Sequence, residues 1–152
     1  MNFKIELTDQ PSQHVLSIRT RTSVENLPEE IGKAYNSIMQ YLKEIESEPS
    51  DVPFVAYYNL DMENLDVEMG FPVSKPMAGK GNIESSEIPA GKQISCMFKG
   101  PYKDMEAPYN EMMQWIKENE YTATGVSYEF YYNSPMDVPE SELLTKIVFP
   151  VK

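Results

Sequence analysis

The sequence predicts an α+β domain made of a duplicated strand-helix-strand-strand unit: an antiparallel sheet with two helices on one face and a cleft at the pseudo-two-fold. Three observations predict it. The chain repeats itself, each copy shows the same order of periodicities, and 152 residues suit one shared core. At an offset of 74 residues, the segment 35–59 falls on 109–133 with eleven of the 25 positions identical, where average composition gives roughly two. The pairs are Tyr35/Tyr109, Asn36/Asn110, Met39/Met113, Gln40/Gln114, Lys43/Lys117, Glu44/Glu118, Glu46/Glu120, Val52/Val126, Tyr57/Tyr131, Tyr58/Tyr132 and Asn59/Asn133. The match resumes at an offset of 78, where Phe71-Pro72-Val73 falls on Phe149-Pro150-Val151, so the second copy carries four extra residues in the intervening loop. One domain is expected over residues 1–152, with repeat one at about 1–75 and repeat two at about 81–152. Half-domains of that size are marginal alone and bury their apolar faces most easily against each other.

The elements follow in order. Short extended pieces are expected at 3–8 and 81–88, and strands at 14–22 and 93–99 ahead of the helices. Leu27, Ile31, Tyr35, Ile38, Leu42 and Ile45 recur every three or four residues, a helix stripe. Pro28 suits its first turn, Asn26 or Ser23 its cap, and the helix spans about 28–46. In copy two Met105, Tyr109, Met112, Met113 and Ile116 give the same stripe over about 104–119, with Pro108 in the first turn or at a kink. Tyrosine-rich, β-favouring runs at 52–59 and 126–133 follow the helices, and strands at 65–73 and 143–151 end the copies. The segment 75–81 reads as the inter-repeat linker and 134–139 as a turn-rich loop.

Composition narrows the function. Thirteen Lys and Arg against 24 Asp and Glu give a net charge of −11, a field that repels phosphate backbones, so no direct nucleic-acid partner is expected. No apolar run approaches the ~20 residues of a membrane helix, and the N-terminus lacks a signal peptide's apolar stretch. The expected location is cytoplasmic, with no membrane partner. One cysteine, Cys96, forbids an internal disulfide, and one histidine, His14, leaves too little for a His/Cys zinc site. No metal and no cofactor are expected; Cys96 reads as a small buried hydrophobe and His14 lacks a partner. Ten Tyr, six Phe, one Trp and ten Met fill cores and also suit adaptable apolar pockets.

The duplication is most informative where it breaks. Phe54-Val55-Ala56-Tyr57-Tyr58-Asn59 in copy one becomes Tyr128-Glu129-Phe130-Tyr131-Tyr132-Asn133 in copy two, so Val55 is replaced by Glu129. In an alternating strand Glu129 shares a face with Ser127 and Tyr131, while Tyr128 and Phe130 point the other way. A carboxylate inside an aromatic strand is costly to desolvate without a partner, although strand glutamates more often lie on a solvated face. Trp115 and its repeat partner Tyr41 sit about 80–100° around their helices from the sheet-facing stripe. Across a two-fold axis they would wall a groove with Glu129 in its floor; the plain alternative is a pair of surface-packed aromatics.

Four segments carry a family resemblance over essentially the whole chain: Ile88-Pro89-Ala90-Gly91-Lys92, Lys99-Gly100-Pro101-Tyr102, Glu129-Phe130-Tyr131-Tyr132-Asn133 and Leu144-Thr145-Lys146-Ile147-Val148-Phe149-Pro150-Val151. In this order they resemble the GyrI-like small-molecule-binding domain, a family that includes the effector-binding domains of AraC-type and MerR-type multidrug regulators. The resemblance implies the duplicated fold with a cleft at the repeat interface, and places the glutamate of its Glu-x-Tyr pattern, here Glu129, in that cleft against flat, lipophilic, positively charged ligands. Such regulators carry a separate DNA-binding domain ahead of this one. Here the fold starts almost at residue 1, so transcriptional control by this chain alone is not expected.

Three functions are therefore weighed. The first is stand-alone binding of amphipathic, cationic aromatic molecules, with Glu129 as countercharge, Tyr41, Tyr57, Trp115 and Tyr131 stacking on the ligand, and Met112 or Met113 repacking around different outlines. The second is an enzyme: some stand-alone proteins similar to this one hydrolyse cyclopropane-bearing, DNA-alkylating toxins, for which Glu129 would handle a proton and Tyr131 or Tyr57 would hydrogen-bond the carbonyl. The third is an acidic inhibitor docking on DNA gyrase, as the family's namesake does. Tyr102, in the turn before the second helix, fits the cleft lining and plain packing equally.

Overall fold

The computed structural model describes residues 3–152. In chain order the elements are β1 (Ile5–Gln10), β2 (Gln13–Thr22), α1 (Leu27–Glu44), β3 (Phe54–Tyr57), β4 (Leu65–Pro72), β5 (Glu84–Ile88), β6 (Gly91–Lys99), α2 (Glu106–Glu118), β7 (Ser127–Tyr131) and β8 (Leu144–Pro150). The fold is α+β, and the pairs β1–β6, β2–β4, β2–β5, β3–β4, β6–β8 and β7–β8 are all antiparallel, as the repeat and its periodicities predict. The tyrosine-rich strands β3 and β7 are shorter than the runs that announce them. In copy one Pro53 stands just ahead of β3 and has no N–H to give to a ladder.

The chain divides into two compact halves, one made of residues 11–90 and the other of residues 3–10 and 91–152. In the first half the strands lie in the order β3-β4-β2-β5. α1 packs on β2 and β4 through Ala34, Ile38 and Leu42. In the second half the order is β1-β6-β8-β7, with α2 on β6. Met112 and Ile116 join Ile94, Cys96, Phe98, Ile147 and Phe149 in its core. The halves therefore differ from the sequence repeats at one strand each. β1 lies in repeat one yet pairs with β6 of repeat two (Ile5 opposite Cys96), and β5 lies in repeat two yet pairs with β2 of repeat one (Gln13 opposite Ile88). Helix and strand periodicity do not encode which sheet edge an extended arm joins.

Local chemistry is duplicated more faithfully than sequence. Both helices end with a glutamate in the left-handed region, Glu46 (φ 56°) and Glu120 (φ 61°). In each case the next residue's N–H reaches back five positions, Ser47 to the Leu42 carbonyl at 2.8 Å and Tyr121 to the Ile116 carbonyl at 3.0 Å. This is a Schellman-type stop made without glycine. The invariant asparagines do the same work in loops of different length. Asn59 accepts from the Asp66 N–H at 2.9 Å and donates to the Asn64 carbonyl at 3.0 Å, while Asn133 accepts from the Leu144 N–H at 2.8 Å and donates to the Glu142 carbonyl at 3.0 Å. Pro108 lies in the first turn of α2, where its missing N–H costs nothing. Pro28 occupies the equivalent place in α1, whose cap residue Asn26 makes no side-chain cap bond; Ser23 Oγ instead accepts from the Asn26 N–H at 3.3 Å. Cys96 is buried, which pushes its thiol pKa up.

Candidate functional site

Strand alternation puts Glu129 and Tyr131 on the face of the second half's sheet that α2 covers. Glu129 lies opposite Ile147, a core partner of Met112 and Ile116, and Tyr131 lies opposite Thr145. Only 9% of Glu129 is exposed. Both its oxygens accept phenolic hydrogen bonds. Tyr131, two residues along the strand, donates to Oε1 at 2.8 Å, and Tyr109 from α2 donates to Oε2. The Tyr109 ring is aimed by stacking on Phe149, with centroids 5.4 Å apart and planes 14° from parallel. Among the described residues no lysine or arginine pairs with Glu129. Burial pushes its pKa above the usual carboxylate range, and the two hydrogen bonds from Tyr109 and Tyr131 act in the opposite direction.

Two more residues border this group. Tyr102 packs edge-on against Tyr131, centroids 5.9 Å apart, and its pKa is raised by burial first and by the nearby charge of Glu129 second. It is 43% exposed, the outermost ring of the cluster. Thr145 has no exposed surface, and its Oγ1 is the one buried side-chain polar atom among the described residues with no hydrogen-bond partner.

The other sequence candidates have different surroundings. Met112 has no exposed surface and sits in the core of the second half. Trp115 stacks on Tyr121 at 5.8 Å, nearly parallel at 10°, at the margin of that core. Tyr41 donates its hydroxyl to the Ala78 carbonyl at 2.7 Å and carries the Lys80 ammonium 5.9 Å from its ring centre; it thereby ties the inter-repeat linker to α1. Tyr57 is half-buried on β3 opposite Val67. Met113 is exposed. Of the sequence candidates, the structure brings Glu129 and Tyr131 into direct contact.

Tyr109 belongs to the Glu129 cluster, although reading the sequence as a core stripe passes over it. A signal existed: a tyrosine on a sheet-facing stripe needs an acceptor for its hydroxyl, and Glu129 is a new acceptor in its copy. A second buried carboxylate, Glu68, was also passed over. It alternates with Val67 and Met69, on the sheet face away from α1. It accepts from Ser17 Oγ and from the Tyr58 hydroxyl, each at 2.5 Å. Arg19 lies 3.8 Å over the Tyr58 ring and grips Asp66 at 2.9 and 2.8 Å. Its cue was the pair Glu68/Lys146 at the offset of 78.

Two hollows lie away from Glu129 and Glu68. In the second half, a hollow of about 550 Å³ lies at the start of α2, lined by Phe3, Phe98, Lys99, Lys103, Asp104 and Asn110 among others, with Glu129 absent from its wall. In the first half, one of about 250 Å³ lies beside α1, against Ile18, Lys33, Ser37 and Met69.

Comparison with known proteins agrees with this architecture. Residues 3–152 match the model of the GyrI-like small molecule binding domain, and the chain belongs to that family. No protein of curated function matches the sequence. Among solved structures, the chain is similar to the crystal structure of the EcmrR C-terminal domain, with 25% identity, 100% of this chain and 99% of that one covered, and a TM-score of 0.76. It is likewise similar to EcmrR in an EcmrR–DNA complex (24% identity, TM-score 0.80), where 99% of this chain spans 57% of the regulator's length. SAV2435 bound to tetraphenylphosphonium shares the fold at 12% identity, with 98% and 94% of the chains covered and a TM-score of 0.71. A hydrolase from Listeria innocua shares it at 12% identity, with 98% and 92% covered and a TM-score of 0.70.

Proposed function

We propose that this protein binds cationic aromatic small molecules at Glu129, with Tyr109, Tyr131 and Tyr102 as the surrounding rings. The observation that carries the reading is a buried carboxylate whose two oxygens are held by tyrosine hydroxyls and which no basic side chain among the described residues neutralises. An unpaired charge in a low-dielectric site is a standing cost that a cationic guest removes. The phenol rings add cation–π attraction of ~0.5–2 kcal/mol each as they desolvate. The family supplies the general role of small-molecule binding, and the related fold of SAV2435 was solved with a quaternary phosphonium, which supports this choice of ligand class. The test is titration of the protein and of Glu129→Gln with tetraphenylphosphonium. Removing the charge while keeping the shape is expected to weaken binding by about tenfold or more, equivalent to ~1.4 kcal/mol. Equal affinity for both proteins would sink the charge-pairing reading.

A second reading rests on the raised pKa of Glu129. A carboxyl group with enhanced proton affinity beside two phenols suits general acid–base chemistry, as in opening a cyclopropane-bearing alkylating compound by water. Incubation with such a compound decides it. Ring-opened product exceeding the protein in amount, and lost in Glu129→Gln, supports an enzyme; capture without turnover leaves the binder.

A further inference from the structure

Laying the two repeats over each other shows two buried valines of the first copy turned polar in the second, on the same face. Val55 is replaced by Glu129, and at the offset of 78 Val67 is replaced by Thr145. The register confirms the equivalence: Val55 faces Met69 and Tyr57 faces Val67 in the first half, while Glu129 faces Ile147 and Tyr131 faces Thr145 in the second. Thr145 is thus one step along the sheet from Glu129, between Phe98 on β6 and Tyr131 on β7. Val55, Val67 and Thr145 all have no exposed surface, so the fold is content with an apolar side chain there. Threonine is the near-isostere of valine with one methyl exchanged for hydroxyl, and a buried hydroxyl without a partner costs stability. Here that hydroxyl is unpartnered, so packing within this half gives no reason for it.

The geometry points to Thr145 as a second polar anchor of the Glu129 site, one that hydrogen-bonds a polar group of the guest. This rests on the reading of Glu129 as a cation site and narrows its ligand class to organic cations that also carry a hydrogen-bonding group beside an aromatic body. Glu129 holds the charge and Thr145 takes up the neighbouring donor or acceptor. A guest reaches it from the side of Tyr131, once the Tyr102–Tyr131 ring pair swings aside.

Two probes separate the roles. Rhodamine 6G offers amine N–H and ester groups together with its charge, whereas tetraphenylphosphonium has charge and rings alone. The two are titrated into the wild type, Thr145→Val, Thr145→Ser and Glu129→Gln. Thr145→Val is expected to weaken rhodamine 6G about five- to tenfold, the worth of one hydrogen bond, and to shift tetraphenylphosphonium less than about twofold. Thr145→Ser keeps wild-type affinity for both, and ligand-free Thr145→Val melts no lower than the wild type. The inference is overturned if Thr145→Val leaves rhodamine 6G untouched, weakens both probes alike, or fails to fold, since each outcome makes the hydroxyl silent or structural. Failure of the underlying reading looks different: there the wild type binds neither cation, or Glu129→Gln binds both unchanged.

Discussion

The two halves pose the same problem in their first strand after the helix and solve it differently. In the first, Tyr35 rests against Phe71 at 5.2 Å and gives its hydroxyl to the Phe54 carbonyl at 3.0 Å, with Val55 filling the core beneath α1. In the second, Tyr109 rests on Phe149 at 5.4 Å, but its hydroxyl goes to Glu129. The helix, its stop, the loop asparagine and the tyrosine–phenylalanine contact are all kept, although the rings are tilted by 57° in the first half and stacked at 14° in the second. What changes is the polarity of two neighbouring core positions, 55 to 129 and 67 to 145. A duplicated scaffold lets one copy keep the packing solution while the other takes on polar groups that packing alone would reject.

Moving the carboxylate into the first half is the hardest test of that contrast. Val55→Glu inserts a charge where no surface is exposed, and Val67 replaces the polar threonine nearby. A loss of about 3 kcal/mol is expected in urea denaturation, in the range of a poorly compensated buried charge. A loss under about 1 kcal/mol would mean that Tyr35 and Tyr57 accommodate an acid as readily as Tyr109 and Tyr131 do.

The reverse exchange, Glu129→Val, is expected to raise stability at neutral pH by about 1–2 kcal/mol while abolishing cation binding, because the Tyr109 hydroxyl can turn to the Tyr128 carbonyl as Tyr35 uses that of Phe54. The gain carries a sign with pH. Glu129 has its pKa raised by burial above the ordinary 4.5, so the folded state holds this proton more tightly than the unfolded chain. Stability from this group is therefore present in full below 4.5 and falls as pH rises through the folded-state value. The wild type should lose stability relative to Glu129→Val over that interval; parallel urea midpoints across pH would contradict the assignment.

The smallest effect tests what the halves share. Glu46 and Glu120 both adopt positive φ, a conformation that penalises a side chain, so Glu46→Gly and Glu120→Gly should each stabilise by about 0.5–1 kcal/mol. Unequal gains in thermal melts would show that the two helix stops are not equivalent.

Much of this was legible in the residues. Period-3.6 and period-2 patterns placed both helices and the main strands within a few positions, because burial of one face imposes those periods locally. The single acid in a duplicated aromatic strand pointed to Glu129, and alternation correctly grouped it with Tyr131. Other features depended on distant neighbours. Tyr109 looked like a core stripe residue until its hydroxyl met Glu129. Trp115 is matched to Tyr121 by stacking, and Tyr41 is engaged by Ala78 in the linker. Glu68 reads as a strand glutamate of the commonest kind, yet it is buried under Ser17 and Tyr58.

By itself, then, the sequence determined the duplication, the order and type of elements, and the position at which one copy departed from the other. These follow from local periodicity and from comparing the chain with itself. Only the tertiary structure decided which hydroxyls reach the Glu129 carboxylate, which sheet edge β1 and β5 join, and that Thr145 lies beside the acid without a partner. Those outcomes depend on side-chain reach and strand pairing across long stretches of chain, where the energy of a hydrogen bond or of a buried charge is set by what the fold brings near it.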